Sequence, residues 1–166
     1  MRSSGLAWTI LRPTMIYGTP GDRNIARLIR FVRRSPVVPV IAADALQQPV
    51  HVEDVAAAIA AAIATPATIE RTYELSGAAP VTFEALVRQT VAATGRRRWV
   101  VRLPFWPVRS GVMLYNALVR RPRVSLEQVE RLREDKAFHH DAATRDFGYR
   151  PRAFADGVAA EARLVR

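Results

Sequence analysis

The segment from Trp8 to Gly18, Trp-Thr-Ile-Leu-Arg-Pro-Thr-Met-Ile-Tyr-Gly, constrains the fold most strongly. Residues 6–11 form a short apolar run rich in strand-favouring side chains, which predicts a strand buried on both faces of a parallel sheet. Pro13 lacks a backbone N–H and restricts Arg12 to extended conformations, so we expect the strand to end there. Because open α/β sheets bind ligands at the carboxyl ends of their strands, the segment also predicts a binding site.

The remaining chain predicts strands that alternate with helices. Extended segments are expected over residues 37–41, 48–52, 72–75 and 99–103. Helices are expected from 25 to about 34, over 55–64, from 82 to about 94, over 108–120, over 125–135 and from about 154 onward. Alternating elements with a helical C-terminal third indicate an α/β fold. The strands are too few for a self-sufficient parallel sheet, so we expect an exposed apolar sheet edge.

Apolar spacing predicts which helix faces are buried. One face of the first helix combines Ile25, Leu28, Ile29 and Val32, and the second helix has Val55, Ile59 and Ile63 in register. The helix over 108–120 has a mixed apolar and aromatic character, is flanked by arginines, and has Trp106, Met113 and Tyr115 in its region. Core packing is the default expectation for this helix, and a lid, a dimer face and an interfacial membrane segment are the alternatives.

Composition narrows the classes of function. The 166 residues carry a net charge of +10, and Lys136 is the only lysine among 25 basic residues. Arginine clusters at 33–34, 96–98 and 120–121 could contact nucleic acid, anionic lipid or phosphorylated substrates. No nucleic-acid motif and no regularly interleaved aromatic residues accompany them, so a bias towards Arg and Ala is the preferred explanation. We therefore predict no nucleic-acid partner.

The sequence contains few indications of where in the cell the protein is located. The absence of cysteine excludes disulfides and cysteine-bound zinc and leaves the redox compartment open. The N-terminal residues do not resemble a secretory signal, and no stretch approaches the ~20 apolar residues of a membrane span. We expect a cytoplasmic protein without a membrane span.

Four segments together resemble the NAD-dependent epimerase/dehydratase family, the extended short-chain dehydrogenases. Residues 11–18 resemble its Arg-Pro-x-x-x-Tyr-Gly segment, and 48–56 resemble its Val-His-Val-x-Asp-Val-Ala segment. Residues 72–77, followed by 81–83, resemble its next strand-and-helix unit. The pair Gln48-Pro49 and the tail over 131–149 are most similar to the atypical bacterial branch. Each motif is weak alone, whereas the ordered set is fairly specific.

The resemblance implies that this chain is the C-terminal part of a Rossmann-type NAD(P)-binding fold plus the small substrate-binding subdomain. In that family the strand before Arg-Pro is the sixth of the sheet. The glycine-rich phosphate loop and the catalytic Tyr-x-x-x-Lys pair come earlier, and neither occurs in this sequence. The resemblance then implies one partial domain over 1–166 that lacks the N-terminal strands. Its Rossmann-sheet elements would be 6–34 and 53–76, and its substrate-side subdomain 35–52 and 77–166.

The resemblance places the cofactor next to Pro13, Thr14, Met15 and Ile16, which would lie beside the nicotinamide ring and ribose of NAD or NADP. Backbone amides freed at a strand end can bind a carboxamide, and apolar side chains suit a neutral ring. The alternative is a plain strand-to-loop turn. Without the phosphate loop, this chain alone is not expected to bind the cofactor well.

Three further positions are candidate substrate contacts: Asn24, Gln48 and His51. Asn24 resembles the family's substrate-contacting asparagine, and a helix cap is the alternative. Gln48 stands where many members have an arginine that faces a nucleotide-sugar phosphate, which argues against a nucleotide-sugar substrate. His51 has an intrinsic pKa near neutral, as a general base requires, but local packing and hydrogen bonding are the preferred explanation.

We assign structural roles to Asp54 and to the adjacent histidines His139 and His140. Asp54 is expected to act as a helix-terminal charge and not as a catalyst. The adjacent pair His139-His140 lacks a surrounding ligand cluster, so we predict surface residues and no metal. No residue of this chain is assigned a catalytic role.

The resemblance implies the substrate-binding part of an NAD(P)-dependent epimerase, dehydratase or reductase. Its substrate would be a sugar-like or other small hydroxyl or carbonyl compound. The alternatives are a non-catalytic binding or assembly subunit of the same fold family and an inactive truncated remnant. Expected partners are a small-molecule substrate and the N-terminal Rossmann half if it is encoded separately, and a homo-oligomer is a further alternative.

Overall fold

The computed structural model describes residues 6–119 and 125–165. Its strands are β1 (Thr9–Pro13), β2 (Ile16–Tyr17), β3 (Val37–Ile41), β4 (Leu46–Gln47), β5 (Val50–His51), β6 (Arg71–Leu75), β7 (Val81–Thr82) and β8 (Trp99–Leu103). Its α-helices are α1 (Ile25–Arg34), α2 (Val52–Ala64), α3 (Phe83–Ala93), α4 (Phe105–Leu118), α5 (Leu126–Glu130), α6 (Asp141–Phe147) and α7 (Phe154–Leu164). Short 3₁₀-helices occupy Pro66–Thr68 and Arg131–Arg133.

The strands of the described ranges form pairs, and three of the four pairs are parallel. β1 pairs with β6 from Thr9–Arg71 to Pro13–Leu75, and β3 pairs with β8 over five positions. β2 lies parallel to β5, whereas β4 and β7 are antiparallel. Parallel strands connected through helices confirm the predicted α/β class.

β1 differs from its prediction in extent and in burial. It begins at Thr9 and includes Pro13, which an edge strand tolerates at its last position. The expected burial on both faces is wrong: Ile10 is 36% exposed. The reason is that β6 is the one strand paired with β1 in the described ranges. The predicted exposed sheet edge is therefore present.

Three clusters of side chains form the core, and the smallest consists of Val32, Val38, Val40, Ala43 and Val87. A second cluster joins β6 to α2 and α6 and is made of Val50, Val55, Ala58, Tyr73, Leu75, Ala143 and Tyr149. The third joins α1, α3 and α7 and includes Tyr17, Ile25, Ile29, Leu86, Phe154 and Val158. The predicted face of α1 is confirmed, with Leu28 only partly buried. By its contacts α1 groups with α3, α7 and β3, and α6 groups with β6 and α2.

The buried face of α2 differs from its prediction. Val55, Ala58 and Ala62 are buried, whereas Ile59 and Ile63 are 45% and 82% exposed. Alanine permits the helix to approach β1 closely, and the two isoleucines then border an open cavity beside Trp8 and Leu11. The three residues do share the helical spacing, but the expected burial is wrong for the two isoleucines.

The prediction that α4 packs into the core is wrong. None of its residues is buried, and its main packing partner is α5. The helix also begins at Phe105, three residues before the prediction. In the C-terminal region, α6 was not predicted, and the expected helix over 125–135 is α5 followed by a 3₁₀ turn. The prediction for residues 120–124 lies outside the described residues.

Candidate functional site

The carboxyl end of β1 passes directly into the second parallel pair. The Thr14 amide donates to the Leu75 carbonyl at 3.0 Å, and the Val50 amide donates to the Met15 carbonyl at 3.0 Å. The Thr14 hydroxyl donates to the Gln48 carbonyl at 2.6 Å. These bonds fix residues 13–16 against the loop before β5, so the predicted cofactor segment is a defined turn.

The outer side of this turn is apolar and open. Pro13 is exposed and Ile16 is 40% exposed, whereas Met15 packs partly buried against the core that contains Tyr17. A proline ring and an isoleucine side chain fit one wall of a site for a neutral aromatic ring. The sequence offers no glycine-rich loop for a pyrophosphate, so the residues present fit only that wall.

Gln48 is a buried bridge between three loops. The residue is 5% exposed, its Nε2 donates to the Gly77 carbonyl at 2.7 Å, and its Oε1 accepts from the Phe138 amide at 2.9 Å. A Cβ atom at Gly77 would overlap the Pro49 carbonyl oxygen, so glycine is needed for this close approach. Both polar atoms of the Gln48 side chain are thus occupied by backbone groups.

His51 caps a helix. It is 4% exposed, and its Nδ1 accepts from the Glu53 amide at 3.3 Å at the start of α2. Its ring meets Tyr17 edge-on with centroids 5.3 Å apart, and Gly18, at φ +112°, lies against its Nε2. Burial, with a contribution from the Arg152 charge, lowers the His51 pKa. The preferred explanation of local packing and hydrogen bonding agrees with this geometry.

Asn24 lies apart from these residues, at the start of α1. Its side chain is exposed and makes no capping hydrogen bond. The cap is supplied by Asp22, whose carboxylate accepts from the Ala26 amide at 2.8 Å and from the Asn24 amide. The structure therefore brings residues 13–16, Gln48 and His51 together and leaves Asn24 outside that cluster.

A buried carboxyl lies behind this region and was not anticipated from the sequence. Glu161 of α7 is fully buried, and neither of its carboxyl oxygens has a hydrogen bond of normal geometry within the described residues. Burial, together with the negative charge of Asp22, raises the pKa of Glu161 to about 8. The neighbouring Tyr17 hydroxyl is also buried, and its pKa is raised mainly by burial. A glutamate in a helix normally predicts a solvated face, so no local pattern indicates this buried pair.

Asp54 anchors the segment before α7. Its carboxylate accepts from the Arg152 amide at 3.0 Å and from the Arg152 Nε at 2.9 Å. Arg152 also pairs with Glu53 at 2.9 Å. The expectation that Asp54 is a helix-terminal charge fits its position in the first turn of α2.

The tail motif over 146–149 holds the end of β6. The Asp146 carboxylate accepts from the Tyr73 hydroxyl at 2.7 Å and from the Arg71 Nη1 at 2.9 Å. The Tyr149 hydroxyl donates to the Ser76 carbonyl at 2.9 Å. His140, predicted as a surface residue, is half-buried with its Nδ1 2.7 Å from the Ser76 Oγ. The described residues contain no group of three or more potential metal ligands.

A second open groove lies at the carboxyl ends of β3 and β8. It has a volume of about 590 Å³ and is lined by Asp44, Arg102, Leu103, Phe105, Trp106 and Arg133, with residues 42, 43, 45 and 104 completing its walls. Arg102 bridges Glu84 and Asp44 across one side, the latter at 3.4 Å. Of these lining residues, Trp106 alone was singled out from the sequence, as part of the region around the helix predicted over 108–120.

Comparison with known proteins places these features in context. No family model matches the chain. Ceramide reductase of Caulobacter vibrioides is 32% identical over 121 residues, which span 72% of this chain and 36% of that protein. The chain therefore corresponds to about a third of that relative.

Solved structures match nearly the whole chain. The crystal structure of gox2253 has a TM-score of 0.74 at 22% identity, covering 94% of this chain and 48% of that one. UDP-glucose 4-epimerase of Thermotoga maritima has a TM-score of 0.70 at 19% identity, covering 98% and 47%. The dTDP-glucose 4,6-dehydratase DesIV of Streptomyces venezuelae, solved with NAD bound, has a TM-score of 0.65 at 21% identity, covering 98% and 45%.

These similarities show which fold the chain has and how much of each solved structure it matches. The chain spans about half of each of these solved structures. Among the proteins with this fold, DesIV was solved with NAD bound, and RMD from Pseudomonas aeruginosa was solved with NADPH bound. The chain thus has an α/β fold similar to about half of each of these solved structures, and it is similar in sequence to ceramide reductase.

Proposed function

We propose that this chain is the C-terminal, substrate-side part of an NAD(P)-dependent reductase. The observation that carries the proposal is the turn at 13–16, where a parallel strand ends in an open apolar wall. The same strand leaves one edge without a partner in the described residues. A sheet that continues beyond this edge would place a cofactor against that wall.

The surface around the unpaired edge of β1 is apolar, which supports the proposal that further protein packs against it. Ile63 is 82% exposed, and Leu6 and Ile69 are 73% and 47% exposed. A cavity of about 410 Å³ opens among Trp8, Thr9, Leu11 and these α2 and 3₁₀-helix side chains. Apolar surface of this extent is normally covered by other protein. We propose that the N-terminal Rossmann half, on the same or a separate chain, covers it.

The similarity to ceramide reductase favours reduction of a carbonyl over epimerisation of a sugar. Its 32% identity exceeds that of the epimerases and dehydratases above, and Gln48 has both side-chain atoms bound to backbone groups instead of presenting a cation to a nucleotide sugar. We propose a lipid-like carbonyl compound as the substrate class.

Each half would contribute a different part of the chemistry. When bound, NAD(P)H supplies the hydride that reduces the substrate carbonyl. In this chain Pro13 and Ile16 would pack against the flat ring, and the Thr14 bond to Gln48 would hold that wall in place. The proton donor, a tyrosine by family resemblance, would belong to the N-terminal half.

The test uses the complete reading frame that contains this chain. Fluorescence energy transfer from tryptophan to reduced nicotinamide would report binding of NADH and NADPH. We expect Ile16→Asp to weaken binding by about tenfold or more, because a carboxylate would lose hydration against the ring. Leu164→Asp, at a side chain 58% exposed on α7, is the matched control and should leave the affinity unchanged.

Substrate class requires a separate assay. Oxidation of NAD(P)H would be followed with a ceramide-type ketone and with a nucleotide sugar as alternative substrates. Turnover of the ketone alone supports the proposal, whereas turnover of the nucleotide sugar overturns its substrate class. A reading frame without a glycine-rich loop or Tyr-x-x-x-Lys pair, together with no nicotinamide binding, would favour a non-catalytic assembly subunit.

A further inference from the structure

The most exposed apolar element of the described chain is α4. Trp106, Leu114 and Leu118 are 68%, 62% and 76% exposed, and Met113 is 47% exposed. Large apolar side chains exposed along one helix mark a surface that contacts something other than water. The helix is 14 residues long, and no helix in the described ranges combines the length and hydrophobicity that crossing a bilayer requires.

A strand face continues this surface. Trp99, Val101 and Leu103 alternate along β8 and therefore share one face, and all three are exposed. Their partners across the sheet are Val37, Pro39 and Ile41 of β3, of which Val37 is 44% exposed. Since Leu103 is followed through Pro104 by α4, the strand face and the helix are contiguous along the chain.

Positive charge is concentrated in the same segment. Residues 96–133 contain ten arginines and two glutamates, so they carry +8 of the total net charge of +10. Arg109 lies 5.6 Å from the centre of the Trp106 ring, and Arg133 lies 5.0 Å from that of Phe105. Aromatic rings beside guanidinium groups suit a boundary between an apolar and an anionic phase.

We propose that α4 and the outer face of β8 form a surface that binds the anionic face of a lipid bilayer. Trp106, Leu114 and Leu118 would insert at the level of the headgroups. The exposed Arg96, Arg97 and Arg133 would pair with lipid phosphates. A second copy of the chain fits this surface poorly, because it would bring two segments of charge +8 together. A nucleic acid would use the arginines but would leave the apolar side chains in water. This surface is distinct from the turn at 13–16, so vesicle binding and nicotinamide binding can fail independently.

The test measures co-sedimentation of the protein with vesicles. Phosphatidylcholine vesicles would be compared with vesicles that also contain phosphatidylglycerol, each at low and high salt. We expect binding to the anionic vesicles, weakened by salt, and a blue shift of tryptophan emission. Equal affinity for the neutral vesicles, or no binding to either, would overturn the proposal.

A matched set of variants locates the surface. Trp106→Ser combined with Leu118→Ser should reduce vesicle affinity by about tenfold or more, because two inserted apolar side chains are lost. Leu164→Ser, at a side chain 58% exposed on α7, is the control and should bind as the unmodified protein does. Equal loss in the control variant, or no loss in the double variant, would contradict the proposed surface.

The alternative occupants give different results with the same proteins. Light scattering that shows a dimer, dissociated by the double variant, without vesicle binding would assign the face to a second copy. Binding to duplex DNA or RNA that persists in the double variant, again without vesicle binding, would assign the arginines to nucleic acid. Either result overturns the bilayer proposal. Circular dichroism and thermal unfolding of each variant would verify that the fold is retained.

Discussion

Asp54 binds Arg152 through two kinds of donor, accepting a hydrogen bond from the Arg152 amide with one carboxylate oxygen and from its guanidinium Nε with the other. This relationship ties the first turn of α2 to the residues that precede α7. We expect Asp54→Ala to lower the free energy of unfolding by about 2–4 kcal/mol, because a partly buried guanidinium and an amide both lose their acceptor. Urea denaturation would measure the change.

Glu53 provides the control for that prediction. It pairs with the same Arg152 at 2.9 Å, but its side chain is 69% exposed. We expect Glu53→Ala to change stability by less than about 1 kcal/mol, since water replaces an exposed partner. A loss as large as that of Asp54→Ala would show that charge alone, and not the buried geometry, accounts for the effect.

Two helical glycines should respond to alanine in opposite directions. At Gly157 in α7 a Cβ atom would overlap the Tyr17 hydroxyl, whereas at Gly111 in α4 nothing lies within 4 Å. We expect Gly157→Ala to destabilise the protein by about 1–3 kcal/mol through overpacking. Gly111→Ala should stabilise it by up to about 1 kcal/mol, because alanine loses less backbone entropy in a helix. Thermal unfolding of the pair would test the packing of α7 on Tyr17.

Glu161 should make the protein less stable as the pH rises. Its pKa is about 8 when folded and near the ordinary 4.5 when unfolded, so the unfolded chain binds fewer protons between these values. The folded state therefore loses stability from about pH 4.5 to 8, by at most about 1.4 kcal/mol per pH unit. Glu161→Gln stays neutral, and we expect it to remove this slope.

Denaturant unfolding at several pH values between 5 and 8 would measure the difference between Glu161→Gln and the unmodified protein. The gain in stability of the variant should grow with pH. Glu134→Gln, at an exposed position, is the control and should follow the unmodified protein at every pH. A pH-independent difference for Glu161→Gln would contradict the assigned pKa.

Gln48 should matter for folding even without substrate. We expect Gln48→Ala to cost about 2 kcal/mol of unfolding free energy, because the Gly77 carbonyl and the Phe138 amide both lose a buried partner. Gln47→Ala, one residue earlier and only half-buried, should change stability by about 0.5 kcal/mol or less. Equal melting temperatures for the two variants would show that the bridge contributes little.

Local sequence signals predicted much of the fold. The strand 37–41, the strand 99–103 and the buried face of α1 follow from β-propensity, proline and apolar spacing, and all three are present. The helix expected from 82 to about 94 is also present, with Thr82 accepting from the Ala85 amide as an N-cap and Gly95 at φ +65° after its end. Each of these signals acts within a few residues of the position it determines.

The same local signals did not predict packing between residues that are distant in the sequence. Ile59 and Ile63 have the spacing of a buried face, but the alanines of α2 face the sheet because they allow a closer approach. Glu161 is buried because α7 lies on Tyr17 and on the loop that contains Asp22. No residue close to Glu161 in the sequence indicates this packing. At the candidate site, the positions 13–16 were identified from motifs, whereas the bonds that join Thr14, Gln48 and Gly77 depend on the assembled loops.

The two long parallel pairs also constrain how the chain reaches its native state. Thr9 pairs with Arg71 and Val37 with Trp99, so in each pair the partners are 62 positions apart. Closing such loops costs entropy before any ladder bond forms, which makes folding slow compared with that of a helical bundle. On the ribosome, α1 and α2 can form while β1 and β3 still wait for partners that have not been synthesised. The timing of translation and the availability of chaperones should therefore determine the yield of this protein more than its helix propensities do.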